Sequence, residues 1–571
     1  MENIINQKPC LVNTAQGFSV SYQNKFLYSK YAPNKAILQT ISSLNILPGT
    51  ILLCLSPVLP YGLLELVQKL PDDCIILGIE ADPCLSDFIK TFMQNKNQTD
   101  SAESTEESII NNWNQLIQTG KFTFLSKDEI LNLPAILNKK NYITQNGFAF
   151  PPAGTFRRVL PVNCSAGTQF HSDFYMELEQ VCTNAIMNFW SNRVTLTKFG
   201  HNYSKNFFKN LLVLPQTQPI QNFFNSVSKS IIVFGAGQSI DKGIAKIKGK
   251  KKDFFILCAD TALQPLQQNG IIPDGVFIEE AQQIITKAFI GTVKSGTHIF
   301  AGLSSIPTLS HNFDLKSISF FTTLFADANF INNLQNSNLL PPTNNPFGSV
   351  GLTTVYYALK FRKTEKVPIF IYGLNFSFTP GITHGKGTPA HTNRLIQTNR
   401  FIPLQNYGSA FSAATKYATD KKGSKIFTTH ILKAYALTFN SLFQNEKNLF
   451  DCSESGLPLS IPAATRPEPL PSEQRPSETS QLHSYTSQES QSIKDYFTNE
   501  AATLNELKNI LTGQIKLPQE EANNRIIEIL KDREDLYLHF PDGWNLSTQL
   551  SFLKRVRAEI EIFLKIFNKG N

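Results

Sequence analysis

Short continuous apolar runs alternate along most of this chain with stretches whose apolar residues recur at helical spacing. Thr50 to Leu55 is such a run, bounded by Pro48-Gly49 and Pro57, and it suits a strand buried on both faces. Tyr61 to Leu70 then carries Leu63, Leu64, Leu66, Val67 and Leu70 at helical period, before a second apolar run, Cys74 to Ile79, ends in Glu80-Ala81-Asp82-Pro83. Strand, helix and strand with an acidic end make a βαβ unit. The pattern resumes with strands predicted at Ser230–Phe234, Phe254–Ala259, Gly275–Ile278, His298–Ala301, Ser317–Phe321 and Val367–Tyr372. Helices are predicted at Ile240–Lys248, Ala262–Gln268 and Val350–Phe361. This order is the signature of an α/β fold with a doubly wound, mostly parallel sheet.

Two breaks in the pattern divide the chain. A polar, acidic stretch from Asn95 to Ser108 reads as a solvated loop, and 461–491 is crowded with Pro, Ser, Gln and Glu, with almost nothing to bury. Beyond it, Ser492–Ile515, Glu520–Leu538 and Leu546–Phe567 regain helical spacing. The expected organisation is an N-terminal α/β domain (1–190), a central catalytic domain (191–460), a linker (461–491) and a C-terminal helical module (492–571).

Composition changes this picture little. The 571 residues are 41% hydrophobic and 17% charged, as in ordinary globular proteins, and 53 Lys+Arg against 45 Asp+Glu leave a net charge of +8. That surplus can attract a small anion but is weak for a nucleic-acid binder. The eight cysteines include no CxxC pair and no Cys/His zinc pattern, so no metal is expected and the thiols read as reduced and buried. Met1-Glu2-Asn3-Ile4 lacks the basic head and apolar core of a signal peptide, and no apolar run approaches the ~20 residues of a membrane span. A cytoplasmic protein is the expectation.

Four clusters can carry chemistry. Ile231 to Phe234 runs into Gly235-Ala236-Gly237-Gln238-Ser239 at a helix start, where N–H groups and a positive dipole end suit a phosphate. Ile240 stands where a dinucleotide fingerprint has its third glycine, so a plain tight turn fits nearly as well. Asp260 ends the next strand, where an acid either holds a ribose or sugar hydroxyl or caps the helix beginning at Thr261. Farther on, Gly270-Ile271-Ile272-Pro273-Asp274 leads through Val276-Phe277-Ile278 to Glu279-Glu280, a pair that could bind a metal, orient a sugar or face water. Gly348-Ser349-Val350 opens an apolar helix and permits either anion contact or close packing. Finally, Gly373-Leu374-Asn375-Phe376 ends a strand before the glycine-rich loop holding Thr383-His384-Gly385, where His384 is a candidate acid or base, or simply an exposed histidine.

In their order these clusters resemble the domain called DUF115, which occurs in the motility-associated factor (Maf) flagellin glycosyltransferases and in archaeal pterin diphosphokinases. Leu27-Tyr28-Ser29-Lys30-Tyr31-Ala32-Pro33 is similar to the Maf N-terminal Leu-His-Ser-x-Tyr-x-Pro, and Asn202 to Leu211 resembles the segment introducing the central domain. The resemblance runs from about residue 25 to about 460. It implies a sialyltransferase-like central domain that takes a CMP-activated nonulosonic acid, of pseudaminic or legionaminic type, as donor substrate without a cofactor. The acceptors it implies are Ser or Thr hydroxyls of flagellin. Under it, Gly235, Gly237, Gln238 and Ser239 cradle the phosphate, and Asp260 and Thr261 hold hydroxyls. Asp274 and Glu280 shape the sheet edge, Gly348 and Ser349 approach the donor from the other side, Thr383 joins the donor-binding residues, and the catalytic residues are His384, as base or as partner of the phosphate, and Asn375.

The departures are Gln238 for Pro, Glu280 for Asp, Asn375 for Asp, and Cys54-Leu55-Ser56-Pro57 in place of a glycine-rich turn. The last argues against nucleotide binding in the first domain. A flagellin-binding chaperone without activity and a pterin diphosphokinase, which would need carboxylates around Mg²⁺, are the alternatives. Nothing in the residues decides whether the tail docks an acceptor or another subunit.

Overall fold

The computed structural model describes residues 8–94, 106–139, 141–293, 296–308, 313–380, 382–404, 412–471 and 483–569. Most of the acidic stretch read as a loop (95–105), part of the polar linker (472–482) and Gly381 lie outside them. The chain forms two compact units, Met1–Thr195 and Leu196–Asn571.

The first unit is built on a four-stranded parallel sheet of β1 (Thr50–Leu55), β2 (Ile75–Ile79), β3 (Phe122–Phe124) and β4 (Arg158–Asn163), in the order β3-β2-β1-β4. The strands β1 and β2 are buried throughout, which is why they read as unbroken apolar runs. Short antiparallel pairings, such as Cys10–Thr14 with Gly17–Tyr22, flank it. Gly17–Tyr22 alternates Phe18, Val20 and Tyr22 with Gly17, Ser19 and Ser21, a half-buried strand signal that escaped the sequence reading.

The second unit carries an eight-stranded sheet, every neighbouring pair parallel. Its strands are β5 (Ser230–Phe234), β6 (Phe254–Ala259), β7 (Gly275–Ile278), β8 (His298–Gly302), β9 (Ile318–Thr323), β10 (Thr343–Asn344), β11 (Ile369–Tyr372) and β12 (Leu449–Asp451). Their order is β10-β9-β8-β7-β6-β5-β11-β12. From β5 the chain winds outward through β10, then returns to lay β11 on the opposite side of β5. That reversal opens a crevice outside the carboxyl ends of β5 and β11, the place where ligands of such sheets bind. The doubly wound parallel fold expected from the alternating pattern is the fold observed.

One face of this sheet is covered by α4 (Val350–Phe361) and α6 (His430–Phe443), whose Leu352, Val355, Phe361, Phe439 and Phe443 share a core with Ile231, Val233 and Phe277. The other is covered by α1 (Ser172–Val213), α2 (Ile240–Ile247) and α3 (Leu263–Gln268), together with the C-terminal helices α7 (Ser487–Leu511), α8 (Gln519–Leu530) and α9 (Leu550–Phe567). Phe208 of α1 lies 5.0 Å from the Phe567 ring and 5.9 Å from that of Phe563. A buried guanidinium, Arg533, bridges Asp535 (2.7 Å) and Glu500 (2.8 Å), binding the segment after α8 to α7. The tail helices therefore complete the sheet's own core. Among the described residues no helix is long and apolar enough to cross a membrane.

Candidate functional site at the carboxyl edge of the large sheet

The loop after β5 and the end of β11 meet backbone to backbone. Gly237 N–H donates to Gly373 O at 2.8 Å, and a Cβ at Gly235 would come within 2.5 Å of the same oxygen. Gly373 has φ +74°, a conformation few side chains tolerate, and a Cβ there would lie 2.1 Å from Gly235 O. The glycines are thus required for strand-end packing, the plainer of the two readings their sequence allowed.

Ser239 and Asn375 complete the junction. The Ser239 hydroxyl accepts from Gly373 N–H (2.7 Å), donates to Asn375 Oδ1 (2.9 Å) and meets Ser453 Oγ at 2.9 Å. Asn375 Oδ1 also accepts Ser239 N–H, and its Nδ2 donates to Ser455 O at 2.8 Å. Both side chains are buried with their hydrogen bonds made inside the protein. Asn375 is a positioning residue; an aspartate there would turn a carboxylate oxygen against the Ser455 carbonyl, which explains the amide. Gln238 donates to Thr379 Oγ1 (2.6 Å) and Ile382 O (2.5 Å), pinning the loop that carries Thr383 and His384. Gly385 N–H bonds Ala236 O, and Lys386 N–H bonds Asp241 Oδ1, so this loop lies over the start of α2.

His384 Nδ1 is 2.9 Å from Thr383 Oγ1. Burial, helped by the nearby charge of Arg394, lowers its pKa and keeps the imidazole neutral at pH 7. Arg394 is a buried cation on α5 (Pro389–Gln397) that no pattern in the sequence singled out.

The next strand ends supply carboxylates. Asp260 is 5% exposed; its Oδ1 accepts from Thr261 N–H (2.5 Å) and Thr261 Oγ1 (2.8 Å), whereas Oδ2 has no protein partner among the described residues. Burial pushes its pKa up to about 6; the Thr261 hydrogen bonds oppose this, and Glu280 and Glu279 add to it. Glu279 at the end of β7 is held by Thr323 Oγ1 (2.5 Å) and Thr353 Oγ1 (2.6 Å), and burial raises it too. The sequence reading favoured its neighbour Glu280, which accepts from Gln282 N–H at 2.9 Å. Tyr203 of α1 has its pKa raised by burial and, after that, by Glu280, Glu279 and Tyr435. Tyr435 in turn packs on Gly348, where a Cβ would approach its ring to 2.7 Å. Ser349 caps α4 beside it. Asp260, Glu279, Glu280, Tyr203, Tyr435 and the Gly348-Ser349 turn therefore share one region of the carboxyl edge.

Asp274 does not belong to it. It precedes β7, at the amino edge of the sheet, where its carboxylate accepts Ile256 N–H (2.7 Å) and pairs with Lys251 (2.6 Å). Consecutive parallel strands place the residue before a strand at the opposite edge from the residue after one, so Asp274 fastens the sheet instead of shaping the site.

One group among the described residues has ligand atoms close enough for a metal ion: His201, His539 and Glu559. Glu559 accepts from His201 Nδ1 (3.0 Å) and His539 Nε2 (3.3 Å). Burial works to raise its pKa, but these contacts outweigh it and hold the carboxylate at about 2. The trio joins α1 to α9 and the segment between α8 and α9.

Comparison with known proteins agrees with this geometry. Residues 202–381 match the family model described as 6-hydroxymethylpterin diphosphokinase MptE-like. An uncharacterized protein of Treponema pallidum (strain Nichols) is 30% identical over 586 residues, covering 98% of this chain and 95% of its own. The structure of the Maf glycosyltransferase of Magnetospirillum magneticum AMB-1 superposes with a TM-score of 0.50 at 12% identity, over 99% of this chain and 92% of that one. The chain therefore belongs to one family with the treponemal protein, carries an MptE-like domain over residues 202–381, and shares its fold with the Maf glycosyltransferase.

Proposed function

We propose that the chain is a glycosyltransferase that moves a nonulosonic acid from its CMP-activated form to Ser or Thr hydroxyls of flagellin in the cytoplasm. The observation carrying this reading is Asp260: a buried carboxylate at the carboxyl end of β6, one strand from the switch point between β5 and β11, whose Oδ2 has no protein partner among the described residues and whose pKa is about 6. A base of that strength accepts the proton of an acceptor hydroxyl near neutral pH. As the hydroxyl oxygen bonds to the anomeric carbon, the bond to the CMP phosphate breaks and the phosphate leaves with the electron pair. Thr261 orients Asp260, and Arg394 beside neutral His384 is placed to offset charge on the leaving phosphate. The full-length likeness in fold to a protein described as a glycosyltransferase supports the same class. Positioning of donor and acceptor does most of the work in such a transfer, and the reaction is expected to proceed in EDTA.

The diphosphokinase reading has one feature in its favour, three carboxylates (Asp260, Glu279 and Glu280) in mutual electrostatic range, a set suited to Mg²⁺. Calorimetric titration of the protein with CMP, with and without Mg²⁺, separates the readings. Metal-independent binding, followed by sugar transfer to flagellin that Asp260→Asn abolishes, is the expected result. Binding that requires Mg²⁺ favours the kinase, and no CMP binding overturns the donor assignment in favour of a chaperone.

A further inference from the structure

A cavity of about 1550 Å³ opens between α1, α7, α9 and the loops that leave β7 and β8. Five lysines line it: Lys205 and Lys209 on α1, Lys494 on α7, and Lys565 and Lys569 at and beyond the end of α9. No Asp or Glu is among its lining residues, although the whole chain has a surplus of only eight positive charges. None of the five lysines is in an ion pair among the described residues; Glu561, one turn before Lys565, pairs with Lys508 at 2.7 Å and feels the Lys565 charge only at longer range. Lys209 shows the crowding: burial, then Lys205 and Lys569, lower its pKa. Gathering five unpaired cations costs free energy that an anion would return.

We infer that this cavity binds a nucleotide-sized anion carrying two or more phosphate groups. Lys205 and Lys209 are one turn apart on α1, and Lys565 in the last turn of α9 is four residues before Lys569 just past its end, so two pairs can each hold a phosphate. Phe497 and Ile566 supply apolar wall for the rest of the ligand, and the volume exceeds the common ~300–1,000 Å³ of small-molecule sites. The wall reaches Ala281 and Gln282, directly after Glu279 and Glu280, yet its charge is opposite to theirs. The inference does not depend on sugar transfer.

Inorganic tripolyphosphate is the probe, titrated at low and at physiological salt. We expect binding that weakens tenfold or more in the double variant Lys209→Glu/Lys565→Glu and stays unchanged in Lys250→Glu, an exposed lysine at the amino edge, and in Asp260→Asn. In the unaltered protein, tripolyphosphate is expected to protect Lys205, Lys209, Lys565 and Lys569, but not Lys250, from acetylation read by mass spectrometry. Absence of binding, equal weakening by Lys250→Glu, uniform acetylation, or tighter binding of a polyglutamate peptide would each overturn the inference, the last in favour of an acidic protein segment.

Discussion

The two sheets of this protein reverse direction in the same way, but the carboxylate beside the reversal is fully hydrogen-bonded in one and only partly so in the other. In each unit the first strand lies between its successor and a strand that returns much later: β1 between β2 and β4, β5 between β6 and β11. In each, the second strand ends in a carboxylate whose pKa burial raises, Glu80 after β2 and Asp260 after β6. The surroundings differ. Glu80 accepts from Ser56 Oγ (2.7 Å), Asp82 N–H (2.9 Å) and Tyr175 OH (3.3 Å), while Pro57, Val58, Leu59 and Pro60 fill the turn. Among the described residues Asp260 bonds only its neighbour Thr261, and its Oδ2 has no protein partner. Topology supplies a crevice in both units, but the turn residues and the hydrogen-bond capacity left over decide which can act on a ligand.

That contrast can be broken most severely at the glycine junction. Gly373→Ala combines a positive φ with a 2.1 Å overlap on Gly235 O and should cost about 4 kcal/mol or more in urea unfolding. Ser56 already bears a side chain at φ +49°, so Ser56→Ala should lose its bond to Glu80 and a longer one from Ser165 Oγ (3.3 Å), about 1–2 kcal/mol in all. The functional contrast comes next: Asp260→Asn should lower sugar transfer roughly 10²–10⁴-fold, whereas Glu80→Gln should leave the rate unchanged. The rate should rise with pH through about 6 as Asp260 ionises.

The same aspartate predicts a stability effect of opposite sign to that of a salt-bridged acid. Its folded pKa is above its unfolded value, so the proton stabilises the fold, and that contribution is lost as pH rises from about 4 through about 6. Asp260→Asn should therefore gain roughly 2–3 kcal/mol relative to the parent between pH 4 and pH 8, read by unfolding at both pH values. A flat difference would refute the raised pKa. A further test sharpens the junction itself: Asn375→Asp, which sets a carboxylate against the Ser455 carbonyl, should cost about 1–3 kcal/mol in thermal unfolding. Ser239→Ala should cost about 1–2 kcal/mol in the same measurement.

Much of this was legible in the chain itself. Buried parallel strands are continuous apolar runs, so Thr50–Leu55, Ser230–Phe234, Phe254–Ala259 and Gly275–Ile278 could be read to the residue. Edge strands such as Thr343–Asn344 and Leu449–Asp451 could not, being short and held by a single neighbour. The order of the glycine and acid clusters also pointed to the MptE-like domain that residues 202–381 match, because backbone approach at Gly235 and Gly373 leaves a residue requirement visible at each position.

Tertiary structure alone decided what those residues do. Ser239 and Asn375 are 136 positions apart, and no local pattern could reveal that each satisfies the other. Period and spacing mark a strand but do not say which end faces a ligand, so Asp274, which lies at the amino edge, was favoured, while Glu279, held by Thr323 and Thr353, and the buried Arg394 were not. The lysine cavity is the extreme case: its charges come from helices separated by nearly three hundred positions and gather only because α7 and α9 pack against α1. Local sequence determines elements through sterics and burial period, whereas hydrogen-bond satisfaction and electrostatic convergence depend on distances that exist only after folding.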